Sequence, residues 1–87
     1  MAKSFQLRVL TPEGPVFTGE ATAVQLPGTD GLFQVLAGHA ALIAALAPGK
    51  VRIDGAEPQP VVYSIGEGLV EVLNDEVVVL SELVTAG

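Results

Sequence analysis

Leu26-Pro-Gly-Thr-Asp-Gly-Leu-Phe-Gln-Val-Leu-Ala-Gly-His-Ala-Ala-Leu-Ile-Ala-Ala-Leu-Ala-Pro-Gly-Lys-Val-Arg-Ile53 is the stretch on which the reading of this chain turns. It contains the only histidine, His39, between Gly38 and Ala40, and the longest unbroken apolar run, Ala40 to Ala47. Pro27-Gly28 precedes these features and Pro48-Gly49 ends the run. The run reads two ways. Its alanines, with Leu42, Ile43 and Leu46, have helical propensity and spacing. So short a segment, stopped by Pro48-Gly49, makes only a marginal helix. Local propensity tips slightly toward helix. In a strand, neighbouring Leu42 and Ile43 point to opposite faces, so one of them meets a second layer or a partner. Exposed apolar patches on small soluble domains mark interfaces.

Outward from this stretch the period is two. Phe5, Leu7 and Val9 alternate with Ser4, Gln6 and Arg8, which predicts a half-buried strand. Thr11-Pro-Glu-Gly-Pro15 is a turn. Val16 to Leu26 reads as one or two strands, with Val24 and Leu26 inward, Gln25 outward, and Gly19 as a place for a bulge. Pro27 to Gly31 is a loop with Asp30-Gly31 as a hairpin signal, and Leu32 to Leu36 is a short strand. Val51 to Asp54 alternates and meets a second hairpin signal at Asp54-Gly55. Pro58 and Pro60 suit the start or edge of a strand. Val61 to Ile65, Leu69 to Leu73 and Val77 to Leu80 follow, joined by Gly66-Glu-Gly68 and Asn74-Asp75. About eight to ten short strands at near-regular spacing predict an all-β flattened sandwich or barrel. No repeat or linker divides the chain, so residues 1–87 read as one domain.

Composition narrows the function. Hydrophobic residues make up 49% of the sequence, ample for a core, and cysteine is absent, so no thiol serves as staple, ligand or nucleophile. Net charge is −6 with only four Lys and Arg, which excludes a cationic surface for nucleic acid or anionic lipid. No apolar run approaches the roughly 20 residues of a membrane span, and the N-terminus lacks a signal-peptide pattern.

Little catalytic chemistry can be assembled. A lone His39 with Ser64 or Ser81 lacks the elbow motif that would announce a nucleophile. Glu67, Glu71, Asp75, Glu76 and Glu82 match no calcium loop, and one histidine does not make a metal site. Gly49-Lys50 fails as a phosphate loop, because Ala44 and Val51 occupy the positions that need Gly and Ser or Thr. Gly66-x-Gly68 reads as a turn. His39 itself reads first as a loop histidine bonded to nearby backbone. No catalytic, metal, nucleotide or cofactor site is expected.

Gly31, Gly38-His39-Ala40, Leu42, Pro48-Gly49 and Val51-Arg-Ile53 together resemble the epsilon subunit family of the F-type ATP synthase, called delta in mitochondria, in its N-terminal β-sandwich domain. Phe5 to Thr11 with Pro15 to Gly19 resembles the family's first hairpin, and Tyr63 to Val72 a later one. Ala37 and Ala41 stand where the family usually has Pro, and Gln34 where a turn glycine is common. These departures bear on local turn geometry.

The resemblance implies a strand for the apolar run and a non-catalytic rotor subunit of a proton-translocating synthase. Its partners would be the gamma subunit, the membrane c-ring and the catalytic head, on the cytoplasmic face of a bacterial inner membrane. Gamma would meet Thr11, His39, Ala40, Leu42 and Ile43. The c-ring would meet Thr29, Asp30, Gly31 and Leu32, with Asp30 suited to basic loop residues. In the family a pair of C-terminal helices follows the sandwich, inhibiting hydrolysis in many bacterial members and binding ATP in some. The sequence ends at Gly87 without such a pair, so coupling without that inhibition is expected. The rival reading is a free-standing β-sandwich module for a ligand or peptide, with a small hydrolase a distant third. Such modules stack ligands on exposed aromatics, and this chain has no Trp, one Tyr and three Phe.

Overall fold

The computed structural model describes residues 3–87, and every regular element in it is a strand. The strands are β1 (Phe5–Thr11), β2 (Gly14–Ala21), β3 (Ala23–Gly28), β4 (Gly31–Leu36), β5 (Leu42–Leu46), β6 (Gly49–Asp54), β7 (Val61–Ile65), β8 (Gly68–Leu73), β9 (Glu76–Ser81) and β10 (Val84–Ala86). They form one sheet in the order β10-β7-β6-β3-β5-β8-β9-β1-β2, with β4 paired on β3. β3 is the corner. Its first half pairs with β6, and only Gly28 pairs with β5, at Leu46. The sheet folds over there and closes on a single core to which β1 through β9 all contribute. That is the flattened sandwich expected from the strand spacing.

Alternation accounts for most of the core. Phe5, Leu7 and Val9 are buried while Gln6 and Arg8 are exposed. Val70 and Val72 on β8 and Val77 and Val79 on β9 do the same on the paired strands. β1 runs parallel to β9 and antiparallel to β2, so the hairpins interlock and do not simply meander.

The run at Ala40 to Ala47 is a strand in its centre, Leu42–Leu46, and not the helix that local propensity slightly favoured. Five residues in register with β8, from Leu42 opposite Val72 to Leu46 opposite Gly68, supply ladder bonds and cross-strand packing that outweigh alanine's propensity. The segment Val16 to Leu26 is two strands, broken at Thr22, whose N–H and hydroxyl both bond the carbonyl of Asp54.

The bulge is not at Gly19. Gly19 pairs in register with Leu7, and the shift falls where Val9 faces Phe17 and Leu10 faces Pro15, leaving Val16 as the extra residue. Pro15 has no N–H to give the ladder, so pairing is easiest to interrupt beside it. The β3–β4 turn also sits one residue earlier than Asp30-Gly31. Gly28 pairs with Gly31 and the turn residues are Thr29 and Asp30, with Gly31 at φ +128° re-entering the ladder. Asn74 and Asp75 are the turn between β8 and β9, with φ of 50° and 59°, the left-handed pair that a two-residue type I′ hairpin requires.

Candidate interaction surface

The loop between β4 and β5 carries His39. Gly38 turns it, at φ +83°, a conformation that costs glycine nothing. The His39 amide donates to the carbonyl of Leu36 at 3.2 Å, and its ring Nδ1 donates to the carbonyl of Ala40 at 2.7 Å. The Gly38 amide donates to Oδ1 of Asp75 at 2.6 Å, across from the β8–β9 turn. Ala37, in place of a proline, packs against the core. A side chain from a distant turn thus adds a long-range anchor to a loop that is otherwise held only by its own local bonds.

That bond carries a prediction. Asp75→Ala will loosen the His39 loop at a cost of about 2 kcal/mol, from the lost hydrogen bond to a charged group and from alanine's strain at φ 59°. Asp75→Asn, which tolerates left-handed φ and keeps an acceptor, will restore it. Amide exchange at Gly38 checks this: faster exchange in the alanine variant alone is the expected outcome.

β5 settles the choice between Leu42 and Ile43. Leu42 is half-buried and packs against the core, whereas Ile43 is 67% exposed. Leu42 thus packs against the core with part of its side chain still at the surface, and Ile43 is the more exposed of the two. Ala40 is exposed beside it. His39, Leu42 and Ile43 border a shallow basin of about 470 Å³ whose other wall is Thr29, Asp30, Gly31 and Phe33. The residues expected on two separate surfaces thus border one concavity. Leu32, 68% exposed, lines the far side of its hairpin with Pro27, Pro48 and Lys50.

Thr11 lies elsewhere, at the β1–β2 hairpin tip. Its hydroxyl donates to the carbonyl of Gly14 at 3.1 Å and accepts from the Glu13 amide at 3.2 Å. It lines a second cleft of about 330 Å³ with Leu10, Leu69 and Leu80. Leu69 and Leu80, 39% and 41% exposed, are surface leucines that sequence reasoning placed in strands and left there. A signal was present: in Leu69-Val-Glu-Val-Leu73 both phases hold apolar residues, while a strand with one wet face keeps one phase polar.

Ser81 is buried, with its hydroxyl bonded to the carbonyls of Glu67 and Leu83, and it lines the Thr11 cleft and not the His39 basin. Among the described residues no group of three His, Cys, Asp or Glu stands close enough to hold a metal. Phe5 is buried, and Phe17, Phe33 and Tyr63 are partly buried against the core, with Phe33 also bordering the His39 basin.

Residues 4–87 match the family described as the ATP synthase delta/epsilon chain, β-sandwich domain. The chain belongs to this family. The ATP synthase epsilon chain of Chlorobium limicola is 42% identical over 80 residues, covering 92% of this chain and 91% of its own. That of Chlorobaculum tepidum is 42% identical over 83 residues, covering 95% and 94%. In a solved structure of the Euglena gracilis mitochondrial ATP synthase with OSCP, F1 and c-ring, one chain has the same fold. It superposes with a TM-score of 0.89 at 20% identity, covering 95% of this chain and 53% of its own. Membership accounts for the sandwich. No helix of the described residues is long and apolar enough to cross a membrane.

Proposed function

We propose that this chain is a non-catalytic rotor subunit of a proton-translocating ATP synthase, joining gamma to the c-ring so that rotation reaches the catalytic head. The observation that carries the reading is the pairing of an exposed apolar side chain, Ile43, with an exposed hairpin tip, Thr29 to Leu32, on a domain whose regular elements are all laddered strands. Torque transmission needs contact surfaces that do not move relative to each other, and a sheet folded over one close-packed core supplies that stiffness. Gamma meets His39, Ala40 and Ile43. The c-ring meets the turn at Thr29 and Asp30, with Gly31 and Leu32 behind it. The subunit sits at the cytoplasmic face of a bacterial inner membrane through its partners.

The reading extends to regulation. An inhibitor of the swinging kind needs an element with two positions, since a ligand shifts only an equilibrium that exists. Within residues 4–87 each strand is held in a ladder, so this domain couples without inhibiting. Reconstitution tests both parts. Proteoliposomes holding the c-ring, gamma and the catalytic head will synthesise ATP from a proton gradient better with this chain than without it. Leaving it out will not raise ATP hydrolysis many-fold. Synthesis that is indifferent to the chain would sink the coupling role, and a large release of hydrolysis on its removal would show that the sandwich inhibits.

A further inference from the structure

We infer that the open edge of β4 pairs with the same edge of a second copy of this chain, antiparallel and about a two-fold axis at Gln34, an inference independent of the partners proposed above. β10, β2 and β4 each have a neighbouring strand on one side only. An open edge is a template for another strand, and proteins blunt it with proline, charge, a bulge or brevity. β2 carries Pro15, the bulge at Val16 and the exposed Glu20, and β10 is three residues long. β4, Gly-Leu-Phe-Gln-Val-Leu, has none of these protections.

Register decides which backbone groups lie along that edge. Gly28 and Gly31 close a two-residue hairpin and bond each other, and so do Leu26 with Phe33 and Val24 with Val35. The residues between them, Leu32, Gln34 and Leu36, turn their N–H and C=O away from β3. Pro27, opposite Leu32, shows the same alternation: its carbonyl faces away from β4 and accepts from the Ala47 amide. The amides of Leu32, Gln34 and Leu36 thus point out along the open edge, with the carbonyls of Leu32 and Gln34. The Leu36 carbonyl accepts from the His39 amide.

This edge complements itself. A two-fold at Gln34 sets Gln34 opposite the partner's Gln34 and Leu32 opposite the partner's Leu36, so outward-bonding residues meet outward-bonding residues. A slip by one residue loses every bond. The side chains agree. Leu32 and Leu36, 68% and 53% exposed, stand on the outer face beside Gln34, whereas Phe33 and Val35 pack inward. Pairing therefore covers each leucine with the other's counterpart. Gln34 ends a polar row, Arg52 to Gln25 to Gln34 across β6, β3 and β4, which the partner's Gln34 continues. Charge does not oppose the contact locally. The chain carries a net −6, yet β4 holds no charged residue, and antiparallel pairing keeps the two Asp30 side chains at opposite ends of the seam.

The test is sedimentation equilibrium of the purified chain from about 10 µM to about 1 mM, with amide exchange at both ends of the range and a melting temperature for each variant. So short a seam is a small interface, so the mass is expected to approach twice the monomer only toward about 1 mM. Exchange at Leu32, Gln34 and Leu36 is expected to slow about tenfold with it. Gln34→Pro removes an outward donor and no bond to β3, and is expected to stay monomeric. Leu32→Lys with Leu36→Lys sets like charges across the seam and is expected to do the same. Leu32→Lys with Leu36→Glu sets opposite charges in the same register and is expected to restore the dimer. A wild-type chain that is monomeric throughout overturns the inference. A dimer that survives both the proline and the paired lysines lies on another surface and also overturns it. If the lysine–glutamate variant is as dissociated as the paired lysines, the two-fold at Gln34 is wrong.

Discussion

Replacing Ile43 by aspartate will weaken binding to gamma by a little over a hundredfold and leave the domain folded. Ile43 is 67% exposed, so its removal opens no cavity in the core. Burying a carboxylate there without a partner costs about 3 kcal/mol, which a factor of ten per 1.4 kcal/mol converts to that loss. Glu71 lies directly opposite across the β5–β8 pair, so the new charge also meets a like charge, at a cost of about 0.5 kcal/mol to the fold. Ile43→Lys removes this complication, because lysine faces Glu71 favourably while still burying a charge under gamma. Both variants are therefore expected to lose gamma, with only the aspartate melting slightly lower. Leu42→Ala is the contrast. Leu42 packs against the core, and its truncation is expected to cost about 2 kcal/mol of stability with a smaller effect on binding. Equal loss of binding from Leu42→Ala and Ile43→Asp would mean that fold integrity, and not the exposed side chain, governs the contact.

Gly68→Ala will destabilise the domain by about 3 kcal/mol, lowering its melting temperature by about 15 °C. Gly68 begins β8 and pairs on both sides, with Leu46 of β5 and Ser81 of β9. A Cβ there would collide with the backbone carbonyl oxygen of Leu80 and press on Cβ of Ser81 at 3.3 Å. The obstacle is main chain, so no rotamer change relieves it and the β8–β9 ladder must shift. Gly31→Ala separates this effect from conformational strain. At Gly31 a Cβ meets nothing within 4 Å, and only its φ of +128° opposes the change. About 1 kcal/mol is expected there. Thermal unfolding of the two variants side by side makes the comparison, and a Gly68→Ala protein that melts with wild type would mean the collision is absorbed elsewhere.

Read locally, the chain already declared most of its strands. The alternation in Phe5 to Val9 and Val51 to Ile53 separates core from solvent because a strand turns successive side chains to opposite faces. Asn74-Asp75 announced its hairpin because few residues accept left-handed φ in succession. The Gly38-His39-Ala40 step with the neighbouring glycines and prolines marked the family. Other features lay beyond local reading. Ala40 to Ala47 holds no information on its own about pairing, and five register partners on β8 made its centre a strand. Leu42 and Ile43 are equally apolar, and only the core beneath β5 chose which of them faces outward. The anchor of the His39 loop is Asp75, 37 residues from Gly38, and no local pattern couples the two. That Ala45, Leu69, Leu80 and Leu10 sit side by side on neighbouring strands is a matter of which strands pair. Periodicity tells a residue which face it occupies, while the neighbours on that face are set by the pairing of distant strands.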